Sequence, residues 1–170
     1  MKRSTITLTI MLALFFGMTS MSHAWGLPKL PFSRDIHRAL KKERWGHQEE
    51  ARQYWQEALE SGEELMAALP DKMEYFMGSA RCAYALGDYD RAVSLYNRAL
   101  QIQVDKGGDP NLAKHYPWVF VYLGLSYAKL GDTPRVIEAW DQVPFTIGST
   151  YTVIQDQLEK LKNQQTAEAK

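Results

Sequence analysis

The stretch that decides the fold is residues 79–100, SARCAYALGDYDRAVSLYNRAL. It predicts two short amphipathic helices that meet at Leu86-Gly87-Asp88, because glycine commonly ends a helix and aspartate commonly caps the next one. Small residues recur where the two helices would touch, and tyrosines fill the space around them. These small residues are Ala80, Ala92 and Ala99, and the tyrosines are Tyr84, Tyr89 and Tyr96. The pattern indicates a closely packed helical hairpin.

Two further copies of the pattern align on the glycine between the helices, at Gly46 and Gly131. After each glycine, the second helix carries small, aromatic and small side chains at positions i, i+4 and i+7. These are Ala51, Trp55 and Ala58, then Ala92, Tyr96 and Ala99, then Val136, Trp140 and Val143. An ordinary helical bundle can also contain such patterns, but three copies in phase favour a repeat.

The copies resemble tetratricopeptide repeats (TPR), which are helix–turn–helix units of about 34 residues that stack on one another. The glycines lie 41 and 44 residues apart, and the excess is close to whole helical turns of about 3.6 residues. Residues 99–132 also resemble the longer repeats of the kinesin light chain type. The resemblance implies an all-α fold, an α-solenoid of about three TPR-like helix–turn–helix repeats plus a C-terminal capping helix.

The first 24 residues have the layout of a secretory signal peptide, with Lys2 and Arg3 before an apolar run and Ser22-His23-Ala24 as a cleavage site. Cleavage near Ala24 would give a periplasmic or secreted protein. The alternative is an uncleaved inner-membrane anchor, although the apolar run is shorter than the about 20 residues that span a bilayer. The predicted segments are a signal peptide at 1–24, an extended lead-in at 25–31, a TPR-like helical domain at 32–162 and a disordered tail at 163–170.

Capping residues predict where the helices begin. We expect Ser33, Asp71, Asp88 and Asp132 to cap the starts of four helices, because a side-chain oxygen can accept from the free amides of a first turn. We also expect Pro117 to separate a short helical turn from a main helix that ends at Leu130.

Composition and motifs disfavour catalysis and nucleic-acid binding. Without residues 1–24 the chain has 18 Lys and Arg against 20 Asp and Glu, a net charge of −2, whereas nucleic-acid binders usually carry a basic excess. The lone Cys82 is expected to be a buried apolar side chain rather than a reactive thiol. The acidic series from Glu49 to Glu64 is expected to be a solvated face. No common catalytic, phosphate-binding or metal-binding motif occurs, so we expect no enzyme activity, cofactor or metal.

The family resemblance implies that the first helix of each repeat lines a concave groove for a protein or peptide. The positions carried over are Ile36, Leu40, Met77, Arg81, Tyr84, Trp118, Val121, Leu125 and Lys129. Tyr84 and Trp118 would be anchors, with Arg81 and Lys129 as the charged handles. A clamp for C-terminal carboxylates is not supported, because Ile36 and Leu40 stand where that clamp needs lysine and asparagine. The alternative for individual positions is burial in the core, especially Leu40, Val121 and Leu125.

Together these observations predict an exported, non-catalytic adaptor or assembly factor of a bacterial cell envelope, with an envelope or secretion component as its partner. A helix or extended apolar segment with acidic residues would suit the groove. The alternative is a periplasmic chaperone or carrier that transiently holds apolar peptides or lipidated clients. Membrane contact is expected only if the signal peptide is not cleaved.

Overall fold

A computed structural model describes residues 31–109, 111–144 and 152–168. Within these ranges the chain forms eight helices and no strand, which confirms the all-α class. The helices are α1 Pro31–Arg44, α2 Gln48–Ala68, α3 Met73–Leu86, α4 Tyr89–Asp105, α5 Leu112–His115, α6 Pro117–Leu130, α7 Thr133–Asp141 and α8 Thr152–Glu168. The signal peptide, residues 25–30 of the lead-in, and Pro110 lie outside the described residues.

The helices divide into two compact units, one that ends at Leu112 and one that begins at Ala113. In the first unit, α1 packs on α2, α2 on α3 and α3 on α4, so two hairpins stack in chain order. The predicted small–aromatic–small residues of α2 and α4 are all buried, at 1% exposure or less. Burial of these faces stabilises both helices, because most helical stability in proteins comes from tertiary packing of an amphipathic face.

The second unit contains a third hairpin, α6 and α7, with α8 packed on α7. Val136, Trp140 and Val143 are buried as the repeat pattern predicts. Helix α8 buries Ile154 and Leu158 and leaves its remaining described side chains exposed or half-buried. This arrangement agrees with the predicted role of α8 in covering the last apolar face of the unit.

The three repeat turns share one backbone geometry. Gly46, Gly87 and Gly131 have φ values of 77°, 88° and 78°, in the left-handed region that glycine adopts without a side-chain clash. In each turn the amide after the glycine donates to a carbonyl five residues earlier: His47 to Lys42 at 2.9 Å, Asp88 to Ala83 at 2.9 Å, and Asp132 to Tyr127 at 3.0 Å. This is the Schellman arrangement, which satisfies helix-end carbonyls.

Two of the four predicted caps are confirmed. The carboxylates of Asp88 and Asp132 accept from the amides of Arg91 and Arg135, each at 3.2 Å. The prediction that Ser33 caps the first helix was wrong. Helix α1 begins at Pro31, whose fixed φ suits a first turn, and Ser33 is buried inside the helix.

Two further boundaries differ from the prediction. Lys72 precedes α3 and makes no side-chain cap, while the Asp71 carboxylate lies 3.3 Å from Lys106 Nζ instead. Helix α8 continues to Glu168, so a disordered tail from residue 163 was wrong as far as that residue. The sequence after Asn163 contains Gln, Ala and Glu, which are good helix formers and favour continuation of the helix.

Glycines inside the helices admit aromatic rings. Phe32 lies against both Gly62 and Gly78, where an added Cβ would fall within 2.8 Å of its ring. At Gly124, a Cβ would lie 2.0 Å from Trp140 Nε1. That indole nitrogen donates to the Val121 carbonyl at 3.2 Å, so the absent side chain permits both the contact and the hydrogen bond. Close helix packing at these positions depends on glycine, because the missing side chain lets an aromatic ring contact the backbone directly.

We expect Gly124→Ala to lower the free energy of unfolding by about 1–3 kcal/mol, because the new methyl overlaps a fully buried indole. Urea unfolding followed by circular dichroism measures the effect. Glu138→Ala, an exposed change on the helix that carries Trp140, is the control and should stay within about 0.5 kcal/mol. A more stable Gly124→Ala variant would contradict the close packing, since alanine alone favours a helix by about 1 kcal/mol.

Candidate functional site

Four of the nine predicted groove residues are buried in the core. Their exposed fractions are 3% for Ile36, 7% for Met77, 1% for Val121 and 6% for Leu125. A partner cannot reach these side chains in this structure. The predicted groove lining is therefore corrected to the five positions that stay partly exposed, which are Leu40, Arg81, Tyr84, Trp118 and Lys129.

The physical reason is that the first helices of the hairpins are covered on more than one side. Ile36 belongs to the core cluster of the first unit, together with Phe32 and Trp55. In α6, the eight residues from Val119 to Ser126 are all buried. Eight residues exceed two helical turns, so no face of that stretch is open. The family rule that first-helix positions line a groove fails where the helix is surrounded.

In the first unit, Arg81 is held between two aromatic rings. Its guanidinium carbon lies 5.0 Å from the centre of the Trp55 ring and 5.6 Å from the centre of the Tyr84 ring. Tyr84 in turn meets Tyr89 edge to face, with 5.6 Å between ring centres. Stacked guanidinium groups of this kind gain cation–π attraction and lose rotational freedom before any partner arrives.

The ring beneath Arg81 is itself fixed from the other side. Trp55 is 1% exposed, and its indole nitrogen donates to the Glu43 carboxylate at 2.8 Å. Glu43 is half-buried near the end of α1. We call Glu43, Trp55, Arg81, Tyr84 and Tyr89 the Arg81 cluster. It joins residues from α1, α2, α3 and α4, all within one unit.

Sequence reasoning identified Arg81 and Tyr84 but not the rest of the Arg81 cluster as a site. Trp55 was assigned only to the core, since its spacing from Ala51 and Ala58 explains it fully. The contact between Trp55 and Arg81 joins positions 26 apart on different helices. The periodicity of a single helix cannot predict a contact between two helices, so this contact is seen only in the packing of α2 on α3.

In the second unit, Trp118 and Lys129 remain half-buried near opposite ends of α6. Burial lowers the pKa of Lys129 below its ordinary value, because a partly desolvated ammonium favours the neutral form. Leu40, in the first unit, packs against the core cluster through part of its side chain. These three residues are accessible in part, but none belongs to a cluster like that around Arg81.

Acidic, histidine and cysteine side chains do not converge on a metal site in the described part of the chain. Across residues 31–109, 111–144 and 152–168, no group of three His, Cys, Asp or Glu side chains is placed to hold a metal ion. The outer face of α2 bears an open depression of about 550 Å³, lined mainly by glutamates and glutamines with Leu86. One of these glutamates, Glu50, has a lowered pKa because Lys42 and then His47 hydrogen-bond to its carboxylate.

Cys82 is fully buried, as predicted. Burial raises the pKa of its thiol from 9.0 to about 12, because the apolar surroundings disfavour the thiolate. The thiolate is the nucleophilic form of cysteine, so this side chain is poorly suited to redox or nucleophilic chemistry.

None of the helices in the described part of the chain is long and apolar enough to cross a membrane.

Comparison with known proteins identifies the repeats. Residues 45–109 match the family model described as tetratricopeptide repeat. These residues contain α2, α3 and α4, with the Gly46 and Gly87 turns and most of the Arg81 cluster. Residues 45–109 therefore belong to the tetratricopeptide repeat family. No curated protein matches the sequence.

The family match indicates a protein–protein interaction role, because tetratricopeptide repeats serve that purpose and are typically non-catalytic. The predicted third repeat, α6 and α7, lies outside the matched residues but has the same turn and the same buried small–aromatic–small pattern. The likeness to repeats of the kinesin light chain type stays a prediction.

We expect the Cys82 thiol to react at least about 100-fold more slowly with a colorimetric disulfide reagent at pH 8 in the native protein than in guanidinium, since only the unfolded thiol ionises appreciably. Between pH 9 and about 12 the unfolded chain loses this proton while the folded chain keeps it. Stability should therefore fall as pH rises through that window. Rapid native labelling at pH 8 would contradict the burial of Cys82.

Proposed function

We propose that this repeat protein is an exported, non-catalytic adaptor or assembly factor of a bacterial cell envelope, and that the Arg81 cluster binds an acidic segment of its partner. The main support for this proposal is the position of the Arg81 guanidinium, over the Trp55 ring and near the Tyr84 ring. A guanidinium presents several donors in a rigid fork that suits carboxylates. An envelope or secretion component is the proposed source of the acidic segment.

Pre-organisation favours this cluster as the binding centre. Interface energy concentrates in a few Trp, Tyr and Arg side chains, and two of those residue types meet here at the half-buried Arg81 and Tyr84. Because aromatic contacts already restrict Arg81, less rotamer entropy is lost when a carboxylate binds. Glu43 accepts from Trp55 at 2.8 Å and so holds the indole in the orientation that stacks with Arg81.

The adaptor is favoured over a carrier of apolar peptides or lipidated clients. A carrier needs a broad accessible apolar surface, and Ile36, Met77, Val121 and Leu125 are buried. Of the predicted groove positions in the first unit, Leu40, Arg81 and Tyr84 stay partly accessible, and the last two belong to a charged and aromatic cluster that selects for both charge and shape. Export itself rests on the signal-peptide layout of residues 1–24.

The test uses the full-length chain with a C-terminal tag, expressed in its native host with a photo-crosslinking amino acid in place of Glu74, an exposed residue two helical turns before Arg81 on α3. We expect one dominant crosslinked envelope protein, and its yield should fall about tenfold in the Arg81→Ala background, because a stacked arginine is a typical hot spot. Arg81→Lys should restore little, since an ammonium lacks the planar fork.

Arg98→Ala is the matched control, an exposed arginine on α4 outside the Arg81 cluster. It should leave the crosslink unchanged. Circular dichroism and the melting temperature should be nearly unaffected in both variants. Equal loss of the crosslink in Arg98→Ala would show a general effect of positive charge. A collapse of the melting temperature in Arg81→Ala would show that Arg81 supports the fold. Either result would overturn the proposal.

A further inference from the structure

The outward face of α1 is entirely basic. Five side chains of this helix are exposed, and all five carry or can carry positive charge. They are Arg34, His37, Arg38, Lys41 and Arg44. Their spacing of three or four residues places them along one side of the helix, as in any amphipathic helix. We call this set, together with Trp45, the α1 stripe.

Trp45 ends the stripe with an unusual exposed aromatic surface. Its side chain is 57% exposed, the largest value among the exposed large hydrophobic residues of the described chain. Lys41 Nζ lies 4.5 Å from the centre of its ring, and the His47 ring meets it edge to face at 6.5 Å. Gly46, directly after it, makes the left-handed turn that keeps the ring at the end of the hairpin.

On α1 the basic residues outnumber the acidic ones, although two arginines of the stripe share a carboxylate partner. Asp35 is buried beneath it and lies 3.5 Å from Arg34 and 3.2 Å from Arg38. Glu50, at the start of α2, pairs with Lys42 and His47. In all, α1 holds five Lys and Arg residues against two acidic ones, so the helix keeps a net positive charge on its exposed side.

We propose that the α1 stripe is a peripheral docking surface for an anionic lipid bilayer. Phosphate headgroups match its charge, and each Lys or Arg near such a surface contributes about 1 kcal/mol of attraction. A tryptophan beside the cations suits the membrane–water interface, where amphipathic rings prefer to lie. The contact needs no spanning helix, so it is independent of the fate of residues 1–24 and of the Arg81 cluster.

A bilayer fits the stripe better than a protein partner does. A stable protein interface buries about 800 Å² on each side around an apolar centre. The stripe is an outward helix face whose one apolar side chain is Trp45. A layer of headgroups requires charge rather than a shape-matched pocket, and it accepts a single interfacial ring.

The test is co-sedimentation of the full-length chain with phosphatidylglycerol–phosphatidylcholine vesicles and with vesicles of phosphatidylcholine alone. We expect preference for the anionic vesicles, weakened by added salt. The double variant Lys41→Gln/Arg44→Gln, which leaves both ion pairs of Asp35 intact, should lose about 30-fold in affinity for them. Its circular dichroism should be unchanged because both side chains are exposed.

The control is Arg98→Gln/Lys160→Gln, which removes the same charge from exposed positions on α4 and α8 and should bind as the wild type does. Bromine-labelled phosphatidylglycerol should quench wild-type fluorescence more than that of Trp45→Phe. If the two double variants lose the same affinity for anionic vesicles, binding depends on net charge and not on the α1 stripe, and the proposal is overturned. Tighter, stripe-dependent binding of an oligonucleotide or an acidic peptide than of vesicles would overturn it in favour of that partner.

Discussion

Close packing between large aromatic rings and small residues is the interaction on which each hairpin depends. Trp55, Tyr96 and Trp140 are buried at the same position of three successive hairpins, each with small or β-branched residues four positions before and three after it. Replacing a buried ring of this size by alanine typically costs about 3–5 kcal/mol. Glycine serves the same packing at Gly124, where any side chain would overlap the indole of Trp140.

The polar edge of each buried indole needs a partner, and the two tryptophans find different ones. Trp140 donates to the main chain of α6, which ties two helices of one hairpin together. Trp55 donates to the Glu43 carboxylate, and its ring also supports Arg81. Trp55 thereby connects the hydrophobic core to the charged, partly exposed Arg81 cluster. A binding centre supported by the core is rigid, which favours selective recognition over loose capture.

Charge in the first hairpin is segregated by helix. The exposed face of α1 is basic, whereas the outer face of α2 carries most of the glutamates of the acidic series. Net charge near zero hides this separation, because the two faces cancel in the sum. Local fields of opposite sign attract different partners, so the basic face of α1 and the acidic face of α2 favour different kinds of molecule.

The sequence by itself determined the features that depend on neighbours within a few residues. The left-handed turns at Gly87 and Gly131, the caps at Asp88 and Asp132, and the inward residues of each second helix all follow from local spacing. Ser33 and Asp71 were mispredicted as caps, since a capping residue type favours a helix start but does not fix it, and the start also depends on its surroundings.

Only the tertiary structure decided which side chains a partner can reach. Ile36 and Val121 have the spacing of groove residues, but other helices cover them, and accessibility is a property of all the elements around a side chain. The Arg81–Trp55 contact has the same origin, because it joins residues whose separation along the chain is bridged by helix packing alone. Local chemistry fixed the hairpins, and long-range packing fixed the surface.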